Sequence, residues 1–406
     1  MYRKSANCHR GRRSWLPGAA RTIAGAGALA PAMLVAAAPP VAAQANPTWI
    51  HIAAGTNVTC GIREGNTLWC WGAGAYGALG TGHSVDENQP TQISKPTAGW
   101  ASVTDGGGHG CATRKDGGLW CWGYNVQGEL GIGTIVNVAR PHQVTSPAST
   151  GWASVTAGDN QTCAIRSDST LWCWGYNGDG QLGLGNTTTE DLPQQVTSPA
   201  STGWTAVSAG SSYTCATRDD TTLWCWGNNL EGELGIGNTV NQDLPQQVTA
   251  PAGTGWASIA AGNIHTCASR GDTTLWCWGN NREGELGIGN AIGQYEVPQQ
   301  VTVPTGTGWT SPVSGGFHTC ATRTHALWCW GQNDSGQLGI GSTAGQDLPQ
   351  RVRVPTSTGW SLIALGTFHT CATHTGHTLW CWGNNFQGQL GIGSTTNQDL
   401  PQQVTT

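Results

Sequence analysis

The pentapeptide Leu-Trp-Cys-Trp-Gly occurs seven times, beginning at Leu68, Leu119, Leu171, Leu223, Leu275, Leu327 and Leu379. Successive copies are 51 residues apart once and 52 residues apart five times. A fixed period of this size marks a unit that cannot bury its apolar face alone and stacks on copies of itself. Length alone allows two or three domains for 406 residues. The period argues instead that seven like units close into one body.

One unit reads "GWTAVSAGSSYTCATRDDTTLWCWGNNLEGELGIGNTVNQDLPQQV", from Gly203 to Val248. It predicts four strands: Trp204 to Ala209, Tyr213 to Arg218, Thr222 to Trp226, and a fourth around Pro245 to Val248, where the proline suggests a strand start or a sheet edge. A long loop, "GNNLEGELGIGNTVNQD", joins the third to the fourth. Beyond the first 45 residues no stretch shows sustained helical periodicity.

Fourteen of the 15 cysteines fall two per repeat, spaced C-x9-C six times and C-x8-C once. In "CATRDDTTLWC" the polar turn is centred on Asp220, which puts Cys215 and Cys225 opposite each other across two strands. Directly opposite residues have close Cβ atoms, within reach of a disulfide. The expected pairs are Cys60–Cys70, Cys111–Cys121, Cys163–Cys173, Cys215–Cys225, Cys267–Cys277, Cys320–Cys329 and Cys371–Cys381. The sixth hairpin is one residue shorter, and its cysteines still face each other around Thr324-His325. Zinc is the competing reading, but each hairpin offers two sulfurs where a tetrahedral site needs about four ligands. Neither a metal nor another cofactor is expected.

Of the 22 tryptophans, 14 lie in the pentapeptides and seven open the first strands, at Trp49, Trp100, Trp152, Trp204, Trp256, Trp309 and Trp360. Rings at fixed repeat positions argue for packing between adjacent sheets; carbohydrate stacking is the alternative for some of them. Gly232-Glu233-Leu234-Gly235-Ile236-Gly237 has the wrong order for a dinucleotide loop, and no helix follows it. Turns requiring φ > 0 account for it better. Neighbouring Asn and Asp faintly suggest calcium, but the bidentate acid of an EF-hand loop is absent. His109, His265, His318 and His369 share one repeat position, which holds Gln161, Tyr213 and Val58 elsewhere. A position that accepts valine is not a shared catalytic base. His374 and His377 read as solvated residues of the last hairpin turn.

The first 45 residues carry six basic side chains and no acid, then an Ala/Gly-rich apolar run, then Ala43-Gln44-Ala45. That order predicts a secretory signal peptide, cleaved near Ala45 or at Ala43. Arg12-Arg13 leaves open whether export is by the general or the twin-arginine route. Cys8 lies ahead of the apolar run, the wrong place for a lipid-modified cysteine. Without the leader, 18 − 6 = 12 basic residues face 23 acidic ones, a net charge of −11. Three lysines and 10% charged residues do not make the basic stripe that nucleic acid requires. No stretch is apolar and long enough to span a bilayer as a helix.

The form G-x-x-H-T-C-A, then L-W-C-W-G-x-N-x-x-G-Q-L-G-x-G, then L-P-Q-Q-V resembles the regulator of chromosome condensation family over about residues 46–406. The resemblance implies an all-β, seven-bladed β-propeller of four-stranded antiparallel blades. The strand reading agrees with it, since radial repetition leaves only short edges exposed. The expected blades span about 46–98, 99–150, 151–202, 203–254, 255–307, 308–358 and 359–406. The founding member binds chromatin and exchanges nucleotide on a small GTPase. The export leader, acidic balance and paired cysteines depart from a nuclear protein, so no exchange residues are carried over. Exported relatives include secreted propellers that inhibit β-lactamases by binding them, an analogy of fold alone.

The expected function is therefore a secreted, periplasmic or cell-surface monomer that binds a protein or surface polymer without catalysis. A lyase or hydrolase with a channel site is the alternative, and nucleotide exchange the remaining one. No catalytic residue emerges, because the polar residues of interest are repeat positions rather than a unique convergent set. Glu231, Glu233, Glu283 and Glu285 crowd two adjacent loops and are the candidate docking residues for a basic partner; a plain solvated rim is the bland reading.

Overall fold

The computed structural model describes residues 47–96, 98–252 and 255–405. The expected leader lies outside these residues. Seven four-stranded antiparallel sheets follow one another, each built from four consecutive strands. Blade 4 is typical, with strands Trp204–Ala209, Tyr213–Arg218, Leu223–Gly227 and Gln242–Gln247. The first two match the sequence reading, and the third is shifted by one residue. The fourth starts three residues before Pro245 rather than at it. It is the edge strand of its sheet, where a missing N–H costs no ladder bond.

The cysteines face each other in every blade. Cys215 pairs with Cys225 in the strand register, and all seven expected disulfides are present. Two turn designs produce the same alignment. The longer hairpin of blade 4 uses a three-residue turn ending in Thr221, with φ of 62°. The short hairpin of blade 6 uses a two-residue turn with Thr324 and His325 both at positive φ (49° and 61°), the backbone that suits tight hairpins.

The core lies between the blades. Each of seven buried clusters joins the second and third strands of one blade to the first and third strands of the next. Trp204 and Trp226 meet edge-to-face with ring centroids 5.9 Å apart, and the equivalent pair recurs in the other six blades. The first tryptophan of each pentapeptide is only half-buried. It packs against the edge of a cluster.

Two details depart from expectation in blade 7. Trp360 is buried but precedes a short first strand, Ile363–Leu365. The Thr373 hydroxyl oxygen accepts the Leu362 N–H at 3.0 Å and bonds the Ser361 hydroxyl at 2.7 Å, beside backbone bonds from Ser361 N–H to the Thr373 carbonyl and from Thr373 N–H to the Leu362 carbonyl. His374 is not a turn residue. It closes the strand His369–His374 and sets its ring 5.0 Å from that of Trp360. Arg166, Arg218, Arg270 and Arg323 stack on their own tryptophans from the corresponding position.

Candidate functional site: the channel and its mouth

The first strands converge on an axial channel of about 180 Å³. Each is followed at once by a glycine: Gly55, Gly106, Gly158, Gly210, Gly262, Gly315 and Gly366. A Cβ on any of these would meet the carbonyl oxygen of the equivalent glycine in the next blade, at 2.5 Å for Gly210 on Gly262 and 2.6 Å for Gly315 on Gly366. The seventh contact runs from Gly366 to Gly55 and closes the ring. Glycine is required here by close approach of backbones rather than by φ.

The shared histidine position is spent on the same joints. His109 Nε2 lies 2.8 Å from the Thr162 hydroxyl, and that hydroxyl donates to the Glu129 carbonyl at 2.8 Å. The threonine proton is thereby committed, so the histidine carries its proton on Nε2. His265, His318 and His369 repeat the contact with Thr319, Thr370 and Thr59. Where the position holds Gln161 or Tyr213, these residues also reach the next blade, at the Gly210 and His265 carbonyls. Burial pushes His109 and His369 down to about 4, and His265 and His318 down to about 3. These imidazoles are neutral at pH 7 and hold blades together.

The sequence reading treats four glutamates as one docking group, and the structure separates them. Glu233 and Glu285 are buried. Their Oε2 atoms accept the backbone N–H of Glu231 and Glu283, both at 2.9 Å. Gln181, Gln337 and Gln389 do the same in other blades, so the slot needs an acceptor oxygen rather than a charge. Burial raises the Glu233 and Glu285 carboxyls to about 7. Glu231 accepts from Arg282 at 2.9 Å. Only Glu283 stands exposed. The repeat itself could have signalled this, since glutamine replaces glutamate at the slot in three blades.

A carboxylate missed by sequence reasoning is Asp105. It lines the channel where most blades have alanine. Its register partner is Gly110, where the other blades have threonine. Asp105 is buried with Oδ2 unbonded, and desolvation raises its carboxyl to about 8. The signal was available as a paired departure from the repeat.

The turns after the first strands and the loops after the third share one face, around the channel mouth. Backbone bonds of 2.9 Å tie them, from Tyr124 to Gly108, Asn228 to Ser212, and Asn384 to Phe368. All three phenylalanines of the chain, Phe317, Phe368 and Phe386, lie on this face. Tyr76, Tyr124 and Tyr176 lie there too. Phe317 stacks on Phe368 at 5.8 Å, and Phe386 is 73% exposed. Asp86, Asp159, Asp179, Glu231, Glu283 and Asp334 are the unburied acids of these turns and loops, and Arg282 is their one arginine or lysine. The hairpin tips on the other face mix arginine with aspartate, as in Arg166 with Asp168 and Arg270 with Asp272.

A family model for the regulator of chromosome condensation (RCC1) repeat matches residues 66–113, 116–165, 168–217, 220–269, 272–322, 325–373 and 377–406. The chain belongs to the RCC1 repeat family. The RCC1 frame runs from the hairpin turn of one blade to the second strand of the next, so each full repeat contains one inter-blade joint. The Arabidopsis thaliana ultraviolet-B receptor UVR8 is 30% identical over 355 residues, 86% of this chain and 80% of the receptor. Human WBSCR16 matches in structure with a TM-score of 0.76 at 20% identity, covering 84% of this chain and 95% of that one. Prp20p from Saccharomyces cerevisiae gives 0.74 at 20% identity, over 89% of this chain and 88% of that one. These two solved structures bear on the RCC1 fold alone.

Proposed function

We propose that the chain is a secreted, periplasmic or cell-surface monomer that docks a basic protein or polymer on its channel-mouth face and does no catalysis. One observation carries this reading. The aromatic residues that the repeat does not require for packing gather on that face, together with six unburied acids and one arginine. Aromatic anchors with a polar rim are the composition of recognition surfaces. Seven disulfides support an oxidising compartment, as does the signal-like leader, with cleavage near Ala45. The ultraviolet-B receptor, 30% identical, is a relative named for a receptor role. Glu231 and Glu283 remain docking residues in this reading, whereas Glu233 and Glu285 serve the framework.

The test is affinity capture from the native extracellular milieu with the oxidised, leader-free chain. Reversing Asp179, Glu231, Glu283 and Asp334 to lysine should weaken capture at least about tenfold and flatten its salt dependence. Replacing Glu233 and Glu285 by glutamine should leave it unchanged. Capture indifferent to the four reversals would sink the proposal.

The second reading, a channel enzyme, has Asp105 and Asp159 in its favour, the two carboxylates that line the channel. Against it stands the channel volume of about 180 Å³, below the roughly 300–1,000 Å³ of ordinary ligand pockets. Turnover of a glycan that disappears in both D105N and D159N would favour the enzyme.

A further inference from the structure

Repetition supplies an internal control for function. Residues that the propeller needs recur in blade after blade; residues that depart from the pattern and converge in space have another reason to be there. Three such departures, Gly108, Tyr76 and Asp159, meet at one side of the channel mouth, beside Gly107 and Tyr124, whose residue types recur once each at Gly316 and Tyr176. Gly107 and Gly108 form a turn stripped of side chains, where other blades carry residues such as Asp159-Asn160, Asn263-Ile264 or Thr367-Phe368. Above it lies a hollow of about 370 Å³, lined by Thr56, Tyr76, Tyr124, Asp159 and Asn160 with the two glycines. A side chain at Gly107 would start 2.8 Å from the Asp159 carbonyl oxygen, and one at Gly108 would start 3.3 Å from Tyr124 Cβ. The hollow therefore exists because both side chains are missing.

Its walls are chemically specific. Tyr76 and Tyr124 meet edge-to-face with centroids 5.3 Å apart and ring planes at 68°. Two rings at such an angle present a face and an edge to one space, which is half of an aromatic cage. Tyr76 adopts the left-handed backbone, with φ of 58°, a conformation that costs a non-glycine residue and is kept where surrounding structure enforces it. The residue is 59% exposed, so burial does not account for that cost. The Asp159 carboxylate completes the third side and is fixed by a hydrogen bond from the Ser211 hydroxyl. Asp159 also lines the axial channel, which places the hollow at the centre of the acidic face.

We propose that Tyr76, Tyr124 and Asp159 form a receptor pocket for one lysine or arginine side chain of the basic partner. An alkylammonium or guanidinium held over tyrosine faces is attracted by the ring quadrupoles, and the carboxylate supplies a charge-assisted hydrogen bond. The glycine floor leaves room for the aliphatic stem. The pocket rests on the reading of this face as the docking face and names the group that anchors it.

The test uses N-acetyl-lysine N-methylamide, N-acetyl-arginine N-methylamide and the neutral N-acetyl-norleucine N-methylamide, titrated into oxidised protein labelled with ring-¹³C tyrosine. Six tyrosines in the chain keep the spectrum sparse. Both cationic amides should shift the Tyr76 and Tyr124 resonances saturably and leave buried Tyr213 unmoved; norleucine should not shift them. D159N keeps an acceptor for Ser211, and Y76A truncates an exposed ring. Each should weaken binding about fivefold to tenfold without changing thermal stability. Equal shifts with norleucine, no shifts with any amide, or binding unchanged in both variants would overturn the pocket. Partner capture that survives the Y76A/D159N double substitution would also overturn it and would leave the docking face standing. Lysine-amide binding by a protein that captures no basic partner would instead keep the pocket and remove the docking role.

Discussion

Single side chains in this propeller serve mainly the joints between blades, and their substitutions should show it. Gly262 has ordinary backbone angles, yet a Cβ there would lie 2.5 Å from the Gly315 carbonyl oxygen and 3.0 Å from His265 Cε1. Gly262→Ala should cost about 2–3 kcal/mol by overpacking. Gly271→Ala, whose Cβ would meet nothing nearer than 3.8 Å, should be neutral. Denaturant midpoints compare the two. Glu285 tests the electrostatics. Its carboxyl is raised by burial from an ordinary value of 4.5 to about 7, so the folded state holds the proton more tightly than the unfolded chain. Stability from this group is complete below pH 4.5 and is lost as pH rises through 7. Glu285→Gln should match the parent near pH 4 and exceed it by about 1–2 kcal/mol at pH 8, read from urea unfolding at both values. At this scale the sequence was partly legible. The histidine position tolerates valine, and that tolerance excludes a shared base. The burial of Glu233 and Glu285 was hidden, because only the fold shows that the backbone takes their oxygens.

The hairpin is the element that the sequence specified best. Symmetry of the turn about Asp220 places Cys215 opposite Cys225, and the strand register agrees. The outer strand was less legible because Pro245 reads as a boundary, and only the sheet order shows that an edge strand accepts it. All 14 paired cysteines are fully buried, so a reductant reaches them only through unfolding. Dithiothreitol alone should leave seven disulfides intact by mass spectrometry, and the same reductant in strong denaturant should release all 14 thiols. Replacing Cys215 and Cys225 together by serine should lower stability by about 2–3 kcal/mol in the chain-entropy account. Ready reduction of the native protein would contradict the burial.

At the scale of the whole molecule, stability belongs to the joints rather than to the sheets. No blade has a core of its own, so removing one uncovers two others. A chain ending at Arg353 would expose Leu338 and Val352 on one side of the gap and Trp49 and Trp71 on the other. That chain should run as aggregate in size-exclusion chromatography, and a folded monomer would refute the account. The repeat length made the sevenfold body legible, but the way the ring closes was not, since it depends on where the two ends meet in space. The seam between blades 7 and 1 is made as the others are, with His369 on Thr59 and the Trp71 indole donating to the Gln389 carbonyl at 3.0 Å. No strand is exchanged across it, and Trp49 and Val404 share one buried cluster. The order in which the blades are encoded is therefore arbitrary. A circular permutant opened between Val248 and Trp256, with the old ends joined by a short linker, would build the same wheel.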